Sequence, residues 1–198
     1  FVPCDVTDEA SVVQAVAEAT EALGGFDAAI LSAGVVRMTP IAGGTLTDWD
    51  TVMNVNLRGV FLCMRECAAA MDDRPGVIIA IGSTAGLLAD RSAGAYAASK
   101  AGLHHLVEVA ARELGPRGLR VCGIAPGLTD TPMLAGAASV PGYLDRVRAR
   151  TPLGRIGVPD DVARVALFCA SDLSILMTGS TLMVTVAGSL FTLPSCAR

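Results

Sequence analysis

Four short runs in this 198-residue chain are predominantly apolar on consecutive positions and not only on alternate ones: Ala28-Ala29-Ile30-Leu31, Gly76 to Ser83, Leu119 to Ala125 (broken by Arg120), and Thr181 to Val186 (with Thr181 and Thr185). A strand with one wet face alternates apolar and polar residues, so strands that are apolar throughout must be covered on both faces. Between them lie stretches with helical spacing. The first is capped by Thr7, with Asp8 and Glu9 in its opening turn, and stops near Leu23 at Gly24-Gly25. The second runs from Thr47 through Val52, Val55, Val60 and Met64 to about Met71. The third carries Leu103, Leu106, Val107, Ala110 and Leu114 on one stripe and closes at Gly115-Pro116; the last spans Asp160 to Ala170. Phe1 to Val6 reads as the end of a further strand. Strands of this kind alternating with helices predict one α/β domain over residues 1–198, a parallel sheet with helices on both faces. Such sheets bind ligands at the carboxyl ends of their strands. Ser32-Ala33-Gly34, Ser83 and Pro126-Gly127 all fall at such ends.

Composition narrows the function classes. Hydrophobic residues make up 52% and charged residues 17%, with a net charge of -4, which excludes a disordered chain and a basic nucleic-acid binder. Six cysteines (Cys4, Cys63, Cys67, Cys122, Cys169, Cys196) form no Cys-x-x-Cys pair and read as buried free thiols in a reducing cytoplasm. With two histidines in the chain, no metal site is expected. Phe1-Val2-Pro3-Cys4-Asp5 lacks the basic start and apolar run of a secretory leader. Leu173 to Ala197 is free of charge, but Thr, Ser and Gly interrupt it every few residues, which argues for a buried strand and against a membrane span.

The chemistry concentrates at Tyr96-Ala97-Ala98-Ser99-Lys100, with Ser83 thirteen residues upstream. Tyr96 and Lys100 stand four apart at the start of a helix and so share a face. An ammonium beside a phenol favours the phenolate, which would bring the tyrosine toward proton transfer near neutral pH. Lys100 is the one lysine in the chain, against fourteen arginines. The compact ammonium is therefore used at this position alone.

Asn56-Leu57-Arg58-Gly59, Ser83, Tyr96, Lys100 and Pro126-Gly127, each at the edge of a strand or helix, together resemble the short-chain dehydrogenase/reductase family. The resemblance implies a Rossmann-type, doubly wound sheet, NAD or NADP as cofactor, a small-molecule carbonyl or alcohol substrate and a homo-oligomer, dimer or tetramer. It implies catalytic roles for Asn56, which would hold a water of the proton relay, Ser83, the substrate-binding hydroxyl, Tyr96, the acid/base, and Lys100, which would also bind the nicotinamide ribose. Cofactor contacts carry over to Asp5 and Val6 at the adenine, Ser32, Ala33 and Gly34 at the adenosine, and Pro126, Gly127, Thr129 and Thr131 at the nicotinamide amide and phosphates, with Tyr96 and Lys100 also among the cofactor-binding residues. Arg155 and the helix start Pro159-Asp160-Asp161 also match. Each has a plain structural alternative: Asp5 as a helix cap, Asn56 bonding backbone in a bent helix, Ser83 as a strand-end cap, Thr131 as a turn hydroxyl.

The chain departs from the family pattern in several places. Ser32 and Leu31 stand where the family has asparagines, and Val184-Thr185-Val186-Ala187-Gly188 replaces Val-Asp-Gly-Gly, which touches the subunit corner and the tail from Phe191. The family's Gly-rich turn and first two strands have no counterpart before Asp5. That gap predicts an N-terminally incomplete sheet, with unpaired backbone beside the strand at Ala28, and makes an inactive fragment or a non-catalytic assembly partner the alternative to an enzyme. Residue choice between NAD and NADP belongs to the absent segment. Substrate identity rests on residues 84–95 and on an irregular lid, 128–158, where Met133, Leu134, Val140 and Tyr143 suggest an apolar wall. His104 and His105 are expected on a helix surface or an interface, with no role.

Overall fold

The computed structural model describes residues 1–71, 74–89 and 91–185. Val186 to Arg198 lie outside them, and with them Cys196, the last residue of the fourth strand run and the tail from Phe191. A four-stranded parallel sheet in the order β1-β2-β3-β4 forms the centre, from β1 (Ala28–Leu31), β2 (Gly76–Ile81), β3 (Leu119–Pro126) and β4 (Thr181–Val184). Ala28 pairs with Val77, Val77 with Arg120 and Gly123 with Thr181, so every neighbouring pair is parallel and requires a crossover.

Two apolar layers explain why the strands lack polar alternation. Ile78, Ala80, Leu119 and Val121 face Val60, Met64, Leu103 and Val107 of helices α3 (Val60–Ala70) and α4 (Gly94–Leu114). Val77, Ile79, Cys122 and Ile124 face the opposite side, against Ala166 and Cys169 of α7 (Pro159–Ala170). Each fully buried aliphatic side chain of this kind contributes about 1.5–3 kcal/mol. The doubly covered, Rossmann-like sheet is the architecture the strand pattern predicts.

The N-terminal elements differ in detail. Phe1 to Val6 form no strand; Val6 instead packs on Gly59, where a Cβ would fall 2.9 Å from Val6. A strand needs a hydrogen-bonding neighbour, and β1 pairs with β2 alone, leaving its other edge unpaired among the described residues and Ile30 53% exposed. Helix α1 (Glu9–Leu23) is capped by Asp8, whose carboxylate accepts from the Ala10 N–H at 3.1 Å. Thr7 is not the cap, because its hydroxyl and N–H both go to Asp5 Oδ1. The helix ends at Gly24, at φ 68°, a left-handed conformation that glycine adopts without a Cβ penalty.

The predicted helix from Thr47 is three pieces: α2 (Leu46–Met53), capped by Thr45, a π-turn (Asn54–Gly59), and α3. Single π-turns inside helices mark functional positions. The lid, 128–158, contains α5 (Ala135–Ala138) and α6 (Tyr143–Arg150). Leu134, Val147 and Ile156 form a small core of its own with Tyr143 packed against it, whereas Met133 and Val140 are exposed. Leu134 and Tyr143 thus hold the lid together internally. The thiols are also more varied than expected: Cys67, Cys122 and Cys169 are buried and Cys63 is half-buried, but Cys4 is exposed. Among the described residues no helix is long and apolar enough to cross a membrane.

Ile78 lies at the middle of β2 with no solvent exposure. Ile78→Ala is expected to lower stability by about 2–5 kcal/mol, read as a drop in the urea midpoint by circular dichroism.

Candidate active site

Two backbones in contact build the site. After β2 the chain enters a single 3-10 turn (Thr84–Gly86), and a Cβ on Gly86 would fall 2.5 Å from the Lys100 carbonyl carbon. Glycine there lets the turn lie directly on the first turns of α4. Ser83 starts the turn in extended conformation, its hydroxyl accepting from the Ala85 N–H at 3.1 Å. The Tyr96 phenol lies beside Ser83, whose side chain favours its ionised form. One helical turn on, the Lys100 ammonium lies 5.9 Å from the Tyr96 ring centroid and donates to the Ile81 carbonyl at 2.8 Å. Ser83, Tyr96 and Lys100 therefore converge at the carboxyl end of β2.

Asn56 joins them from the π-turn. It is fully buried, and its amide bridges the backbone of residue 35: Oδ1 accepts from the Val35 N–H at 2.8 Å and Nδ2 donates to the Val35 carbonyl at 2.9 Å. Nδ2 also donates to Ser99 Oγ at 3.2 Å, and Ser99 Oγ donates to the Tyr96 carbonyl at 2.7 Å. Ser99 is a member of this network that no sequence signal distinguished from an ordinary helical serine.

The electrostatics differ from the expectation for Tyr96. Its pKa is raised, first by burial, with the Ser83 side chain opposing. Lys100 does not pull it down, because the ammonium is turned to the Ile81 carbonyl and is itself destabilised by burial, which lowers its pKa to about 8. In this arrangement the phenol keeps its proton and the lysine is close to losing one.

The residues expected to contact a dinucleotide spread outward from the same carboxyl end of the sheet. Ser32 and Ala33 are exposed at the end of β1. At Gly34 a Cβ would fall 3.5 Å from Asn56 Oδ1 and 3.7 Å from Lys100 Nζ, so its backbone lies directly beside these two side chains. Pro126 ends β3, and its carbonyl accepts from the Thr84 hydroxyl at 3.3 Å. Thr129 Oγ1 donates to the Gly127 carbonyl, and Thr131 Oγ1 to that of Thr129. The strand exit is fixed by Asp130 and Gly157 backbone bonds and by the paired Arg155–Asp161 contact, which holds the Asp161 carboxyl down to about 2. Asp5 stands on the surface in a turn with Thr7, whose N–H and hydroxyl lower its pKa. Val6 is held behind it by Gly59. Asn56, Ser83, Tyr96, Lys100 and Gly34 are thus brought together, with Pro126 tied to the same turn.

His104 is not on the surface. It is 6% exposed, one turn beyond Lys100, and its Nε2 accepts from the Ser83 N–H at 3.4 Å. The i, i+4 spacing from Lys100 on the helix face shared with Tyr96 was the available signal. His105 does lie on the surface, beside Glu108 at 3.7 Å. Among the described residues no cluster of three or more His, Cys, Asp or Glu side chains is placed to hold a metal ion.

A family model described as enoyl-(acyl carrier protein) reductase matches residues 1–186. The short-chain dehydrogenase/reductase eriH of Hericium erinaceus is 40% identical over 185 residues, covering 92% of this chain and 73% of that protein. The 3-oxoacyl-[acyl-carrier-protein] reductase FabG of Thermotoga maritima is 36% identical over 180 residues, covering 90% and 72%. Among solved structures, a gluconate 5-dehydrogenase from Burkholderia cenocepacia, in complex with NADP and tartrate, superposes with a TM-score of 0.88 at 32% identity, covering 92% of this chain and 72% of that one. The chain belongs to the short-chain dehydrogenase/reductase family of oxidoreductases, whose members use NAD or NADP.

Lys100 being the one lysine, ε-13C-lysine labelling gives a single side-chain resonance. Its titration midpoint is expected at about 8 instead of the ordinary 10.5, and a midpoint above 10 would contradict the buried geometry. Because the folded pKa lies below the unfolded one, the unfolded chain binds more protons between these values. Lys100's contribution to stability is therefore expected to rise with pH from about 8 to 10.5.

Proposed function

We propose that the chain catalyses hydride transfer between a nicotinamide dinucleotide, NAD or NADP, and a small carbonyl or secondary-alcohol substrate, with Tyr96 as the acid/base. The observation that carries this reading is the convergence of Ser83, Tyr96 and the buried Lys100 ammonium at the carboxyl end of β2, with the ammonium 5.9 Å from the Tyr96 ring centroid. A dinucleotide fits the residues present: the absent Cβ of Gly34 leaves its backbone open beside Asn56 and Lys100, and Ser32 and Ala33 expose theirs. Ser32, Ala33, Gly34, Pro126, Gly127, Thr129 and Thr131 would hold it along the carboxyl end of the sheet, with Asp5 and Val6 at its far end. When bound, it supplies or accepts the hydride.

The protein's part is proton transfer and charge placement. In reduction, the Ser83 hydroxyl donates to the substrate oxygen where negative charge develops. Tyr96, kept protonated by burial, gives its phenolic proton to the same oxygen. Lys100, one helical turn from the phenol, would bond the ribose hydroxyls with its ammonium. Asn56's amide is engaged by Val35 and Ser99, so a relay water at the π-turn would rely chiefly on backbone carbonyls. Oxidation of an alcohol uses the same groups in reverse. Tyr96→Phe is expected to lower turnover of a carbonyl panel by about 10²–10⁴-fold, followed by NADH or NADPH absorbance, with dinucleotide fluorescence titration unchanged. Undiminished turnover would refute the assignment.

The reading extends to a homo-oligomer, dimer or tetramer, in a reducing cytoplasmic setting that suits the free thiols. Met53, Leu57, Phe61, Leu106 and Val109 line a mainly apolar groove of about 510 Å³ across the π-turn, α3 and α4, and Phe61 is 46% exposed. A second copy of the same helix pair would cover it. Phe61→Glu is expected to shift the protein toward monomer in size-exclusion chromatography with light scattering, and an unchanged mass would place the interface elsewhere.

A further inference from the structure

His104 is a buried titratable group that the proton-transfer reading leaves unused. Its side chain sits beneath the end of β2, where Gly82 and Ser83 pass over it. Nε2 accepts from the Ser83 N–H at 3.4 Å, a long bond, and Nδ1 has no hydrogen-bond partner among the described residues. Gly82 makes this arrangement possible: a Cβ there would collide with His104 Nε2 and Cδ2. Gly82 is itself pinned from the other side, its N–H donating to the Ile124 carbonyl at 2.6 Å. The successive N–H groups of Gly82 and Ser83 are thus held by β3 and by an imidazole.

We propose that His104 is a positioning residue for Ser83: as a neutral imidazole with its proton on Nδ1, it accepts the Ser83 N–H and holds the serine hydroxyl toward Tyr96. This rests on the hydride-transfer reading of the site. An acceptor at Nε2 requires that this nitrogen carry no proton, which fixes the tautomer. A second proton would remove the acceptor and set an imidazolium one turn from the Lys100 ammonium on the same helix face. The charged groups felt at His104 are Lys100 and Glu108, both on α4, while the end of β2 meets it with the backbone of Gly82 and Ser83. Burial first, then Lys100, lowers the His104 pKa, with Glu108 opposing, so the neutral form prevails at neutral pH.

The first test needs no activity. In 15N-histidine NMR of the full chain at pH 7.5, His104 is expected with a protonated Nδ1 and an unprotonated Nε2, and the Ser83 amide shift is expected to follow the His104 titration. A protonated Nε2 at that pH, or a Ser83 amide indifferent to the titration, would overturn the proposal. The second test uses kinetics. His104→Leu, which has no acceptor, is expected to lower kcat about tenfold with dinucleotide Kd unchanged. His104→Gln, whose amide oxygen can accept, is expected to recover most of it and to lack the fall in kcat that accompanies protonation of His104 in the wild type on the acid side. Equal loss in both variants, or wild-type kcat and pH profile in both, would overturn the positioning role. Tyr96→Phe in the same assay separates the two readings: turnover retained there sinks the hydride-transfer assignment, whatever the NMR shows for His104.

Discussion

The site depends on one close approach of two backbones. Where Gly86 meets the Lys100–Ala101 peptide, no side chain intervenes, and the turn after β2 is set against the start of α4 at a fixed height. Everything reactive is referenced to that contact. Ser83 lies three residues before it on the turn, Tyr96 four residues before it on the helix, and Lys100 at it. A single methyl at Gly86 would lift the turn from the helix and separate the hydroxyl from the phenol. The apolar layers beneath serve the same end, since Leu103 and Val107 anchor the helix face that carries Tyr96 and Lys100.

That contact also explains the electrostatics. Packing the turn onto the helix excludes water from both the phenol and the ammonium, and burial opposes the charged form of each. Spacing alone suggested that the ammonium would draw the phenol toward ionisation. Instead the lysine satisfies itself on the Ile81 carbonyl and the two groups drift apart in acidity, the tyrosine upward and the lysine down. Such a site keeps its phenolic proton in place until charge develops next to it, and the same low-dielectric setting makes any charge arriving there strongly felt.

Much of the architecture was legible because it follows from short-range rules. Ala28 to Leu31 and the run from Gly76 are apolar without alternation, and a parallel, doubly covered sheet is the remaining way to bury them. Gly24 stops its helix where expected, and Tyr96 and Lys100 share a face because helical periodicity makes them do so. What escaped depends on tertiary partners. Phe1 to Val6 has strand composition but no neighbour to pair with. Asp8 caps α1 because Asp5 already occupies Thr7. The π-turn at Asn56 is invisible to a periodicity that tolerates one extra residue, and Leu134 and Tyr143 look like a substrate wall until Val147 and Ile156 are found packed against them. The candidate site was legible as residue types, whereas the burial of His104, the engagement of the Asn56 amide and the direction of the tyrosine shift were not. These three all reflect neighbours far apart in sequence.

A chain with fourteen arginines and one lysine offers amine-directed reagents a single ε-amine, and that amine is sealed inside the candidate site. Arginine guanidinium groups are inert to acylation under mild conditions, so acylation of side-chain amines is confined to Lys100 and is told apart from reaction at the α-amine by peptide mapping. Lys100 is 4% exposed, and a reagent reaches it when the junction of turn and helix opens. The rate of acylation therefore measures how often that junction breathes, a local opening free energy that global unfolding does not report. Any molecule that closes the junction would slow the labelling, which turns the composition of the surface into a reporter on the interior.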